Sequence, residues 1–209
     1  MNLDTSFTVM TPALVGSVAL FALVSSITPG PNNVMLTASG LNFGFRRSLP
    51  HMLGITVGWM VLLVLCGLGL GALFRYWPGL HEVLKIAGAL YLLYLAWRIA
   101  RSGSIQEGET AGRPFTFLQA AAFQWVNPKA WVMALGVIAY TPEHHFVANL
   151  LLAAVVCGAV NLPSVAVWAA FGSGLRHVLR QPGAVRAFNI AMALLLVASL
   201  APVVMELLP

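Results

Sequence analysis

Two short polar stretches interrupt long apolar runs of this chain, Thr28-Pro29-Gly30-Pro31-Asn32-Asn33 and Trp125-Val126-Asn127-Pro128-Lys129-Ala130-Trp131. Their residue types suit the holding of charge rather than the making of bonds. In the first, Pro29 and Pro31 remove two N–H donors and leave upstream carbonyls without helical partners, and such carbonyls can meet a cation. Downstream, Asn32 and Asn33 can cap a new half-helix, whose first N–H groups carry partial positive charge and suit an anion. In the second, Asn127 followed by Pro128 reads as N-cap then N1, the position where proline fits best. Lys129 then falls in a first turn, where a cation opposes the helix dipole. Something must offset it: a substrate carboxylate, a backbone carbonyl, or loss of its proton. The acids Asp4, Glu82, Glu107, Glu109, Glu143 and Glu206 all map to ends or loops. An amino acid presents both signs. Its carboxylate could lie against Lys129 and a half-helix start, and its ammonium against the carbonyls of Thr28 to Gly30, the Asn side chains, or the faces of Trp125 and Trp131.

The elements that must position these residues are set by composition. Hydrophobic residues make up 59% of the 209 and charged residues 8%, against about 25% charged in a soluble domain. The chain is therefore read as an all-α integral membrane protein, one transmembrane domain over 1–209, long enough for about six spans of ~20 residues. Apolar runs place the spans at 10–43, 49–73, 79–100, 115–140, 146–172 and 185–207. The first and fourth are interrupted by the two polar stretches. At 1.5 Å per residue these interruptions lie about 25 Å and 20 Å from the ends of their spans, near the bilayer midplane. Two broken helices, each opening a group of three spans, imply half-repeats of about 1–100 and 115–209. An odd number of spans turns the halves over, the inverted arrangement in which discontinuous helices build a transporter's midplane site.

Charge sets orientation. Loops after spans one, three and five carry Arg46, Arg47, Arg98, Arg101, Arg113, Arg176, Arg180 and Arg186, whereas the other face has Arg75 and Lys85. By the positive-inside rule the first group is cytoplasmic and both termini face the periplasm. The basic pI of about 9.8 thus concerns the bilayer, and no nucleic-acid partner is expected. The N-terminus has no basic residue ahead of its first apolar run, which does not suit a cleaved signal. Cys66 and Cys157 sit deep in apolar runs and read as small buried hydrophobes.

Other residues have quieter readings. Asn161, mid-span beside Pro163, either lines the cavity or bonds between helices. His51, near the cytoplasmic start of the second span, reads as a lone interfacial histidine that could join Lys129 in proton coupling. His144-His145 lacks partnering ligands, so neither metal nor cofactor is expected. Gly54 with Gly58 and Gly67 with Gly71 have the spacing of close helix packing, within the protomer or in a homo-oligomer. Tyr91, Tyr94 and Trp97 suit packing and an interfacial belt. An intramembrane enzyme is not indicated, since there are no paired intramembrane aspartates, no HExxH and no serine matched in depth by a histidine.

PGPNN in the first span, Gly44-Phe45-Arg46-Arg47, Gly88-Ala89-Leu90-Tyr91-Leu92 leading to Trp97, and Phe123-Gln124-Trp125-Val126-Asn127-Pro128-Lys129-Ala130 together resemble the LysE/RhtB amino-acid exporter family. The resemblance covers nearly the whole length. It implies export of amino acids or derivatives across a bacterial inner membrane, driven by proton antiport. The TPGPNN form looks most like the branch that exports cysteine and O-acetylserine. Some relatives that handle basic amino acids carry an acid just after the second motif, where this chain has Trp131-Val132-Met133, which favours a neutral substrate. The expectation is a secondary active, alternating-access exporter of small neutral amino acids, such as cysteine, O-acetylserine, threonine or homoserine. The alternative is a passive channel, or an exporter of another small zwitterion.

Overall fold

Proline sets most of the helix starts, because its fixed φ and missing N–H suit the first turn. In the computed structural model, which describes residues 9–70, 78–101, 113–179, 181–201 and 205, eight α-helices form among the described residues. They are α1 (Pro12–Ile27), α2 (Pro31–Phe43), α3 (Leu49–Leu65), α4 (Pro78–Ala100), α5 (Phe117–Phe123), α6 (Pro128–Ala139), α7 (Phe146–Val178) and α8 (Pro182–Ala198). Five of these begin on a proline. Thr11 caps α1 through its side chain, and Thr116 and Gln119 close a capping box on α5. The chain is all-helical among the described residues, with no strand.

Burial is arranged as a hydrocarbon solvent demands. Leu20, Leu118, Val132, Val155 and Val167 are exposed, whereas Asn33, Gln124, Asn127, Asn149, Asn161 and Asn189 are buried. Apolar surface outward and amide side chains inward reverses the soluble pattern. Two helical stretches, Arg46–Gly69 and Phe146–Arg176, are long and apolar enough to cross a membrane, and α1 with α2 makes a third, bent by 57° at the break. Ile86–Ala100, Pro128–Ala139 and Gly183–Ala198 are shorter apolar helices.

The helices pack through three apolar clusters. One joins α1, α3, α6 and α7 and contains Cys66 and Cys157, both free thiols. A second joins α2, α4, α5 and α8, and a third α2, α3, α5 and α7. The tightest crossing is α2 on α7. A Cβ on Gly40 would strike the Ala169 carbonyl, and one on Gly172 the Thr37 carbonyl, so both backbones touch there. Gly54 and Gly58 bring α3 against Phe117 and Ala121 of α5, which places their spacing in an intramolecular contact. Tyr91, Tyr94 and Trp97 climb one side of α4 with ring centroids 6.1 and 6.2 Å apart, and Arg101 sits 5.0 Å over Trp97.

Several expected boundaries shift. The fifth span extends to Val178, passing Pro163 without a break as expected, and the described part of the last helix begins at Pro182 and ends at Ala198. The second ends in a wider turn over Cys66–Leu70, where Gly69 takes a φ of 111° that L side chains rarely adopt. Asp4, Gly71, Arg75, Glu107, Glu109, Arg180 and Glu206 lie outside the described residues.

Candidate functional site

Both interruptions are real breaks, and each follows from its prolines. α1 ends at Ile27, Thr28 is extended at φ −67°, ψ 142°, and Gly30 is fully extended before Pro31 restarts the helix as α2. α5 tightens into a single turn over Gln124–Val126, Asn127 is extended, and Pro128 opens α6. The Asn127 side chain caps α6 by accepting from the Lys129 N–H at 3.2 Å, as its position ahead of proline requires.

The two breaks are tied to each other. Lys129 Nζ donates to the Thr28 carbonyl at 2.8 Å, to Thr28 Oγ1 at 2.9 Å and to the Pro29 carbonyl at 3.3 Å. Of the three ways to offset this cation, the fold uses the backbone carbonyls freed by the first break. The side-chain amides of Asn32 and Gln124 form a second tie, each donating to the other's oxygen at 2.9 and 3.2 Å. Asn33 braces the first break from within, donating to Ser26 O at 2.9 Å and Thr28 O at 2.8 Å. The Thr28 hydroxyl donates to Ser25 O at 2.9 Å, which leaves its lone pairs toward Lys129.

A cavity of about 30 Å³ lies between the breaks. From the first break it is lined by Ser25, Ser26, Gly30, Asn32 and Asn33, and from the second by Gln124, Asn127, Lys129, Ala130 and Met133. Ile55 and Trp59 of α3 and Asn161 and Val165 of α7 complete it. Asn161 both lines the cavity and bonds between helices, donating to Ser26 Oγ at 2.9 Å and accepting from Thr56 Oγ1 at 2.8 Å. Trp59 Nε1 donates to the Ala130 carbonyl at 3.0 Å. Among the described residues, Lys129 is the one charged member of the lining. The volume admits a water or two and is far below the ~300–1,000 Å³ of a ligand pocket, so an amino acid does not fit the cavity in this conformation.

Not every expected site residue converges here. Trp125 and Trp131 pack against each other, with Trp131 Nε1 donating to the Trp125 carbonyl at 2.9 Å and rings edge-on at 6.4 Å, and neither lines the cavity. The aromatic face of the site is Trp59 instead. His51 is fully buried within the protein. It stacks on Phe115 at 4.9 Å between ring centroids, its ring nitrogens have no hydrogen-bond partner among the described residues, and it does not line the cavity. Gln124, Ser26, Thr56 and Trp59 were missed. Gln124 carried a signal, as an amide inside an apolar run three residues ahead of Asn127; Thr56 and Trp59 became neighbours of the breaks only through the packing of α3.

Paired helix breaks joined across a polar cavity, within helices that turn apolar surface outward, define a translocator rather than an enzyme. The family model of LysE type translocators matches residues 23–203, and the chain belongs to that family. Its relatives include proteins named cysteine/O-acetylserine efflux protein from Escherichia coli (strain K12) and Shigella sonnei (strain Ss046). Each is 32% identical over 192 residues, covering 90% of this chain and 96% of the relative. The homologue of that name from Escherichia coli O1:K1 / APEC is 31% identical over the same coverage. No solved structure matches the chain.

Proposed function

We propose that this protein exports small neutral amino acids or their derivatives, cysteine and O-acetylserine foremost, from the cytoplasm across a bacterial inner membrane. The observation that carries this reading is the meeting of two helix breaks around one cation, with no acid in the cavity lining among the described residues. Freed carbonyls, a capped half-helix start and Lys129 together offer a zwitterion both of its counter-charges. Ile55, Met133 and Val165 leave an apolar wall for a short uncharged side chain. The names of the relatives agree with this substrate class.

The transport cycle is alternating access between two inverted halves of three spans, with both breaks at the bilayer midplane and both termini periplasmic. Helix pairing supports the inversion. α1 and α2 of the first span pack on α7 of the fifth, α5 and α6 of the fourth pack on α3 of the second, and α4 packs on α8. Exchanging the halves maps these pairings onto one another. Export is driven by the proton gradient, a proton entering as the amino acid leaves, and Lys129 is the group assigned to carry it; His51 lies outside the cavity lining.

Overexpression in a cysteine- or O-acetylserine-sensitive strain is expected to confer resistance and raise efflux. No effect across a panel of neutral amino acids rejects the reading. Uptake into inverted vesicles that survives an uncoupler at full rate replaces the antiporter with a passive channel.

A further inference from the structure

The ammonium of Lys129 is a primary alkylammonium with three N–H donors, and the first break gives it three acceptors: Thr28 O, Thr28 Oγ1 and Pro29 O. The α-ammonium of an amino acid has the same head group. We infer that this cradle is the ammonium site of the transported molecule and that Lys129 is its resident, displaceable cation. A zwitterion then binds by exchange, its ammonium entering the cradle while its carboxylate draws the Lys129 amine away. The identity of the incoming molecule rests on the export reading above; the cradle's affinity for a primary ammonium does not.

Four features support exchange over a permanent structural bond. First, the cavity of about 30 Å³, with Lys129 in its wall, holds no more than a water or two, so lining side chains must move for an amino acid to enter. Second, the cradle persists without its occupant. Asn33 holds the Ser26 and Thr28 carbonyls, and the Thr28 hydroxyl is aimed by its bond to Ser25 O. Third, Lys129 is half-buried beside exposed Thr28 and Pro29, so its ammonium is held at the margin of the packed core and not locked inside it. Fourth, Gly30 is what lets the lysine in. Its φ of −178° is open to any residue, but a Cβ there would stand 3.0 Å from Lys129 Cδ and 3.2 Å from Nζ.

Exchange also selects. A simple amine would displace Lys129 and strand a second cation beside the first, and a simple carboxylate would pull Lys129 off and leave the carbonyls bare. Only a molecule carrying both charges satisfies cradle and lysine together. A basic amino acid adds a further cation to a lining that contains no acid.

The test empties the cradle and offers it a substitute. Purified Lys129→Ala and Lys129→Met proteins are heated in detergent with n-propylammonium chloride, with tetramethylammonium chloride at equal ionic strength as the donor-free control. A saturable rise in Tm with n-propylammonium alone is expected in Lys129→Ala, where the whole alkyl stem is missing. It is expected to shrink when Thr28→Val is added, and to be absent from the wild type, whose cradle is filled. No shift in folded Lys129→Ala, or an equal shift in wild type, overturns the inference. Should both variants misfold, n-propylammonium present during solubilisation is expected to restore a monodisperse Lys129→Ala protein, and failure to do so counts against the cradle. None of these readouts uses an amino acid, so a wild type that exports none would reject the proposed substrate while leaving this result standing.

Discussion

Lys129 donates to three oxygens from two consecutive residues, and each hydrogen bond to a charged group contributes about 1.5–3 kcal/mol. Lys129→Met removes them all but leaves Thr28 O bonded to Asn33, so little is stranded. The variant is expected to fold with a modestly lower Tm and to lose gradient-driven efflux by at least tenfold, since ~1.4 kcal/mol is a factor of ten. Efflux retained at the wild-type rate would exclude Lys129 from both substrate binding and proton coupling. Gly30→Ala is the gentler probe. Because the backbone there is extended, alanine imposes no strain and acts only by crowding Lys129 Cδ and Nζ. Expected is a roughly tenfold fall in transport with the Tm held within a few degrees; an unfolded Gly30→Ala protein would contradict this. At this scale much was legible. Asn127 before Pro128 had to cap, and an acid-free environment left Lys129 few partners, of which a carbonyl proved right. The tryptophans misled because a ring's chemistry says what it could hold, while only packing says where it faces: Trp131 turns to the Trp125 carbonyl, and Trp59, a turn and a half from Gly54 on α3, takes the cavity position.

Each broken span owes its shape to its prolines, but its alignment with the other depends on the Asn32–Gln124 amide pair. Gln124 is fully buried, and Gln124→Leu leaves the Asn32 amide without its partner, at a cost of about 1–3 kcal/mol. Replacing both by leucine removes the two needs together. A double-mutant cycle in Tm is expected to show favourable coupling of ~0.5–3 kcal/mol, and strictly additive effects would mean the amides act independently. Pro29→Ala and Pro128→Ala restore N–H donors where the helices are interrupted and are expected to impair transport more than folding. Helix existence and both breaks could be read from apolar runs and proline alone. The length of α7 could not. α7 runs six residues past the expected end, to Val178, and passes Pro163 without a break, with Ser164 Oγ donating to the Val160 carbonyl at 2.7 Å. Proline breaks a helix only where an adjoining residue, such as fully extended Gly30 or Asn127, can take the chain out of it.

The whole molecule is tied at both ends of its cavity. Toward the arginine-rich face, Asn42 of α2 and Asn189 of α8 exchange amide hydrogen bonds at 3.1 and 3.2 Å. At the opposite end, Asn149 of α7 accepts from the Met10 N–H at 2.8 Å and donates to the His144 carbonyl at 2.8 Å. On the alternating-access cycle proposed above, two closed ties with water-sized space between the breaks are what an occluded state would show. Loosening one tie should open one side. Asn42→Ala with Asn189→Ala removes this amide pair and, on the proposed cycle, is expected to bias the protein toward its cytoplasm-facing state. Cys66 and Cys157 are buried and should stay silent toward a membrane-impermeant maleimide, so a Ser25→Cys reporter in the cavity lining can read access directly. In inside-out vesicles the reporter is expected to react several-fold faster in the double variant than in its parent. In right-side-out vesicles it is expected to react no faster, or more slowly, since a population drawn inward is withdrawn from the outward state. Equal acceleration from both sides would mean that the amide pair only holds the bundle together, and that α2 and α8 do not form the inner gate.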